Sequence, residues 1–256
     1  MLPQERRNHI LSILQQRGSV AVNELSGYFH VSEETIRRDL LQMEQESILT
    51  RVHGGAFLSD VVREAVPYNL RKDTEKDAKN QIAMSCLPLI QGGDTLFLDS
   101  STTALYIAER LRELRNITVI TNALSIISVL ADCADNRVIA IGGELDTESR
   151  CFTGWKTVDA LSTYHADKAF VSCTGVSIAH GLTDSNEMEG RIRYLMLKNA
   201  QKRYLIADTT KFGKTTLTQI TGLEMIDVVI SDKQLSEEWQ DELSRWNIRL
   251  YTNANA

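Results

Sequence analysis

Two hydrophobic rhythms divide this chain, and one gives way to the other near residue 80. In the first stretch the apolar residues fall at helical spacing. Ile10, Leu11, Ile13 and Leu14 form a stripe that runs up to Arg17, and Gly18 ends the pattern. Pro3 suits the first turn of that helix, where a missing amide costs nothing. Val20 and Val22 frame a brief extended piece, and Asn23 is placed to cap a short helix over residues 24–29. A turn at His30-Val31 leads to a second cap, Ser32, with Glu33 and Glu34 near the positive end of the helix it opens. In that helix Ile36, Leu40 and Met43 share one face, which directs Thr35, Arg37 and Arg38 elsewhere. Residues 48–52 and 56–58 then flank His53-Gly54-Gly55 as a hairpin around a glycine turn.

Past residue 80 the pattern becomes short, β-branched apolar runs at 95–98, 117–120, 138–141, 169–171, 204–207 and 228–230. Helical patterns at 104–114, 124–130 and 188–197 separate several of them. That alternation predicts a mostly parallel sheet covered by helices, a Rossmann-like α/β domain. The expected organisation is a winged helix-turn-helix module over 1–58, a connector over 59–78 and an α/β domain over 79–256. The connector holds Pro67 and the charge-dense run 71–77, and it is expected to enter a helix reaching Ala83 and Leu87.

Charge changes the first half of this picture. The chain carries 28 Lys+Arg against 34 Asp+Glu, a formal net charge of −6. Residues 1–60 hold 6 Lys+Arg and 8 Asp+Glu, so 6 − 8 = −2. Contact with DNA must therefore come from local clustering, and a single module should hold non-specific DNA weakly. An Arg-Arg pair alone is often just a solvated helix face. With a cap, a preceding short helix and a glycine wing, it reads as the second helix of a helix-turn-helix, which enters the major groove. Arg37, Arg38, Ser32 and Thr35 are the expected base-edge or phosphate contacts. Arg51 and His53 on the wing would meet backbone phosphate or the minor groove. Asp39 is expected to pair with or orient a neighbouring arginine.

The polar residues of the second half sit just past the strand ends, where such sheets place ligands. Asp99, Ser100, Ser101, Thr102 and Thr103 follow the first run, Asn122 the second, and Gly142 and Gly143 the third. Asp208 and Lys211 follow the fifth. Four hydroxyls at a helix N-terminus suit a phosphate oxygen, though plain helix capping explains them equally. Lys211 would add positive charge, and Asp99 and Asp208 would accept hydroxyl hydrogens. Glu187 or Glu189 could serve as a general base towards a sugar, so an isomerase-like enzyme is the rival reading; a helix start is the bland one. No GxGxxG or GxxxxGK[ST] motif occurs, and the five histidines form no metal cluster, so neither a cofactor nor a metal is expected. The dispersed cysteines, 86, 133, 151 and 173, are expected reduced and buried in a cytoplasmic chain with no membrane span.

Val31-Ser32-Glu33-Glu34-Thr35-Ile36-Arg37-Arg38-Asp39-Leu40 and Arg51-Val52-His53-Gly54-Gly55-Ala56 together resemble the signature of the DeoR-type family of bacterial sugar-metabolism repressors. The likeness continues through Asp99-Ser100-Ser101-Thr102-Thr103, Thr121-Asn122, Gly142-Gly143, Phe152-Thr153-Gly154, Gly181-Leu182 and 208–213. The resemblance implies a sensor half like ribose phosphate isomerase. It also implies a homodimer or homotetramer, and repression of a carbohydrate operon relieved by a phosphorylated sugar or polyol. It puts the phosphate on Ser101, Thr102 and Thr103 with Lys211 nearby. One departure stands out: many members have glycine where this chain has Ser101. A sensor half reduced to an oligomerisation scaffold is a third reading.

Overall fold

The computed structural model describes residues 3–17, 19–45, 48–52, 54–58, 68–73 and 75–252, in two compact units, Met1–Thr74 and Glu75–Ala256. His53 and residues 59–67 lie outside the described residues, and with them the wing histidine and most of the expected connector.

The first unit runs α1 (Pro3–Arg17), β1 (Ser19–Ala21), α2 (Val22–Phe29), α3 (Glu33–Gln45), β2 (Leu49–Val52), β3 (Gly55–Leu58) and α4 (Tyr68–Asp73). Of the residues the helical spacing singles out, Ile10, Leu14, Ile36, Leu40 and Met43 are buried, Leu11 and Ile13 are half-buried against them, and Leu25 of α2 joins the core. The wing is a three-stranded antiparallel sheet in the order β1-β3-β2. β1 reaches the hairpin only because Gly55 has no side chain: a Cβ there would lie 2.2 Å from the Val20 carbonyl oxygen. The cap expected at Asn23 is not formed. α2 begins at Val22, and Asn23 Oδ1 merely accepts from the next amide, Glu24 N, at 2.9 Å. Burial of Val22 and Leu25 moves the helix start forward. The Val22 amide, which a cap might have served, donates instead to the Gly54 carbonyl in the wing turn at 2.8 Å.

The second unit opens with α5 (Lys76–Cys86) and then builds a seven-stranded sheet. Its strands are β4 (Thr95–Leu98), β5 (Thr118–Thr121), β6 (Arg137–Ala140), β9 (Ala166–Val171), β12 (Ala200–Ile206), β14 (Val228–Ile230) and β15 (Arg249–Tyr251). All neighbours pair parallel, in the order β15-β14-β12-β9-β4-β5-β6. The helices between them are α6 (Thr102–Leu111), α7 (Leu124–Leu130), α8 (Trp155–Ser162), α9 (Glu187–Lys198) and α10 (Glu237–Arg245). A hairpin, β7 (Glu144–Asp146) with β8 (Cys151–Thr153), sits apart from the main sheet. So does the small antiparallel sheet of β10 (Gly175–Ser177), β11 (Gly181–Asp184) and β13 (Thr218–Thr221). Both are additions to the predicted picture, as is β15, because these strands lack the short β-branched apolar runs that marked the others. Phe97, Ala169, Val171, Leu205 and Val229 from the central strands are fully buried with Met196 of α9.

From β4 the chain winds outward in two directions, through β5 and β6 on one side and through β9, β12, β14 and β15 on the other. The carboxyl ends of β4 and β9 therefore border the point where the order reverses, which opens a crevice in sheets of this kind.

Candidate functional site

On the first unit, α3 presents Arg37 and Arg38 to solvent on the side away from Ile36, Leu40 and Met43. Arg37 Nη2 pairs with Glu33 Oε2 at 2.6 Å, one turn earlier on the same exposed face. Arg38 has no acidic partner among the described residues. Ser32 caps α3: its Oγ accepts from the Thr35 amide at 3.3 Å and shares a hydroxyl–hydroxyl bond of 2.9 Å with Thr35. Arg51 is held by Glu44, which accepts from its amide at 2.9 Å and lies 3.8 Å from its guanidinium. Asp39 pairs with neither arginine beside it. It turns inward to Arg6 of α1, at 2.5 Å, with both groups buried.

On the second unit the residues after β4 are buried and largely engaged with one another. The Ser101 hydroxyl donates to Asp99 Oδ1 at 2.6 Å and accepts from the Ala104 amide at 3.0 Å, so it caps α6. Asp99 Oδ2 accepts from the Ser172 amide, just past β9, at 3.1 Å, joining the two loops that border the crevice. Ser100 donates to Glu189 Oε2 at 3.0 Å. The hydroxyls and amides of Thr102 and Thr103 remain without partners among the described residues. They are the free donors of this helix N-terminus.

Asn122 follows β5, the immediate neighbour of β4. Its Nδ2 donates to the Phe152 carbonyl at 2.8 Å, and its buried Oδ1 has no partner among the described residues. Gly142 and Gly143 serve a close approach: a Cβ on Gly143 would lie 2.0 Å from Thr157 Oγ1, and that hydroxyl sits 3.0 Å from the Gly142 carbonyl. Asp208 caps the short turn 209–211, accepting from the Thr210 amide at 3.0 Å. Lys211, half-buried at the end of that turn, has no ion pair among the described residues. Its charge reaches the Cys173 thiol, just past β9. Glu187 lies apart from these groups. It is exposed and lines a groove of about 920 Å³ with Arg191, Tyr194 and Gln219, which includes none of the residues after β4, β5 or β12.

The feature that sequence reasoning missed is Arg193. Its Nε donates to Asp99 Oδ2 and its Nη2 to Glu189 Oε2, both at 2.9 Å, and its Nη1 bonds Asp184. One buried guanidinium thus organises three buried carboxylates, with Ser100 and Ser149 completing Glu189. Burial works against the Arg193 charge, but the carboxylates outweigh it and raise its pKa further. Burial pushes the Asp184 carboxyl above the usual carboxylate range, against the pull of Arg193 and the Asn186 amide. The only local signal was Glu189 four residues before Arg193; the other two partners are distant in sequence or on another strand. All four cysteines are free, and burial pushes the Cys151 and Cys173 thiols up to about 12. Among the described residues no helix is long and apolar enough to cross a membrane.

Family models match both units. The DeoR-like helix-turn-helix domain matches residues 6–61, and the DeoR C terminal sensor domain matches residues 74–233. The HTH-type transcriptional regulator YulB of Bacillus subtilis is 36% identical over 92% of this chain and 91% of its own. The glycerol-3-phosphate regulon repressor of Escherichia coli is 32% identical over 89% of this chain and 90% of its own. Likeness to solved structures is more remote. Ribose 5-phosphate isomerase A of Methanocaldococcus jannaschii shares 15% identity and a TM-score of 0.40, over 54% of this chain and 55% of that one.

Proposed function

The chain belongs to the DeoR family of DNA-binding transcription regulators, and we propose that it represses a carbohydrate uptake or catabolism operon until a phosphorylated sugar or polyol binds the sensor unit. The observation that carries this reading is the N-terminus of α6. The free Thr102 and Thr103 donors suit a phosphate, since amides and the helix dipole both favour an anion there. Lys211 adds charge, and the unpartnered Asn122 Oδ1 is an acceptor for an effector hydroxyl. In this reading Asp99, Ser100 and Ser101 shape the pocket wall from behind, because their polar atoms already bond within the protein. Asp208 orders the Lys211 turn, and Gly142 and Gly143 let the neighbouring loop close. On the first unit Arg37, Arg38, Ser32 and Thr35 address the operator, with Arg51 and His53 on the wing.

Holding the ligand, without turnover, is supported by the state of Glu189. Its two oxygens accept from Ser100, Ser149 and Arg193, so it is poorly placed to take a proton from a sugar. A net-acidic module also favours an oligomer that brings two recognition helices to one operator, consistent with a homodimer or homotetramer. The test has two parts. An operator is first selected from a random-sequence duplex pool by the full-length chain; Arg37→Ala with Arg38→Ala should weaken binding to it at least a hundredfold while the melt is unchanged. The wild-type complex is then titrated with phosphorylated sugars and polyols, glycerol 3-phosphate included because of the E. coli relative's regulon. Release by a phosphorylated compound and not by its unphosphorylated parent is the expected result. Release by neither class, or turnover of the ligand, overturns the reading.

A further inference from the structure

A recognition helix that approaches a polyanion has a reason to avoid acidic residues, yet α3 carries Asp39 directly after Arg37 and Arg38. Its carboxylate is 5% exposed and bonds Arg6 Nε, whose residue is 6% exposed. Three residues on, at Gln42, a second bond ties the same two helices: Arg7 Nη1 donates to Gln42 Oε1 at 2.5 Å. Adjacent residues of α1 thus grip positions i and i+3 of α3, which lie on one face of a helix. We propose that Arg6 and Asp39 are positioning residues for operator recognition. The pair fixes the rotation of α3 about its axis and withdraws the Asp39 charge from the side that carries Arg38.

The apolar contacts of Ile36, Leu40 and Met43 decide which side of α3 faces out, but hydrophobic contact is non-directional, and the ion pair adds a directional constraint to them. A buried ion pair adds little net stability compared with an apolar pair of similar volume, and it is best understood where it selects one arrangement among several. Even a turn of α3 too small to unseat this buried face would swing the Arg38 side chain, on the opposite side of the helix, off the direction the proposed function gives it.

The decisive variant is Arg6→Met with Asp39→Leu in the full-length chain, which replaces the pair by apolar volume. Its melting temperature should equal or exceed that of the wild type. Its affinity for the pool-selected operator should fall at least tenfold, while its affinity for random duplex of the same length stays within twofold. Wild-type operator affinity in this folded variant overturns the proposal and leaves the pair a purely structural contact. If the double variant melts early, Arg6→Lys decides the matter. It keeps the charge but loses the fixed guanidinium geometry, so lost operator selectivity in folded protein supports positioning and retained selectivity refutes it. Because the random-duplex arm reports DNA binding on its own, failure here is distinguishable from a wrong assignment of Arg37 and Arg38.

Discussion

At the scale of single residues, Arg193 carries the largest electrostatic stake in the sensor unit. Replacing it with methionine would leave Asp99, Asp184 and Glu189 buried without a countercharge, at a cost of about 3–5 kcal/mol. The sign of the pH dependence follows. Burial already holds the Asp184 carboxyl above its ordinary range with Arg193 in place, so without the guanidinium the folded protein binds that proton more tightly still. Stability is then gained as pH falls through the raised folded pKa and is lost as pH rises. Arg193→Met should therefore melt well below the wild type at pH 8 and recover part of the difference near pH 5, read by circular dichroism. An Arg193→Met deficit that is the same at both pH values would mean the carboxylates are solvated and the cluster carries no such strain. Asp227 behaves oppositely. Burial opposes its charge, but the Arg203 bonds at 2.9 and 3.0 Å lower its pKa overall. That contribution is present at neutral pH and disappears as pH falls through the depressed folded value, so Asp227→Asn should blunt acid destabilisation. Single residues were the least legible part of this chain. Arg38 and Ser32 announce themselves by local pattern. Arg193 has only Glu189, one turn earlier, as a local sign, because most of its meaning comes from Asp184 on β11 and from Asp99, 94 positions away in the loop after β4.

At the scale of elements, what could be read was set by length and by capping. α7 falls where its apolar pattern puts it, and α9 is one residue longer at each end than the pattern alone gives. α2 starts early because Val22 is drawn into the core and its amide is served from the wing turn, a contact between segments that local sequence does not encode. The run of hydroxyls before α6 was ambiguous between capping and anion binding; Ser101 caps the helix, and Thr102 and Thr103 keep their donors, on which the proposed anion site rests. Ser101→Gly should consequently cost only a few tenths of a kcal/mol as a cap. It frees the Ala104 amide and should tighten binding of inorganic phosphate, read as a larger thermal shift at fixed concentration. No gain in the shift would argue that the anion does not sit on this helix end. On the wing, Gly55→Ala forces a Cβ to within 2.2 Å of the Val20 carbonyl. The β1–β3 pairing should open, with about 1–3 kcal/mol lost from the first unit and weakened operator binding in a gel-shift titration.

At the scale of the whole molecule, a DNA-reading unit and a sensor unit on one chain make a regulator only if their occupancies are coupled. Coupling between two binding sites is reciprocal: whatever factor an effector takes from operator affinity, the operator must take from effector affinity. A release strong enough to clear an operator corresponds to a coupling of about 1–3 kcal/mol, or roughly 5–150-fold. Salt gives an independent check on the DNA side. The module is net acidic, and the proposed reading leaves affinity to the few arginines it assigns to DNA, so the slope of log affinity against log salt should be shallow for each copy. Removing Arg38 should reduce it by about one unit per copy bound. The coupling itself is measured by titrating a releasing phosphorylated ligand into free protein and into protein saturated with the selected operator. The ligand constants should differ by the same factor as the operator constants measured with and without ligand. If the apparent ligand constant instead rises in proportion to operator concentration without levelling off, no ternary complex forms, the ligand competes at the DNA face, and the sensor unit is not the switch.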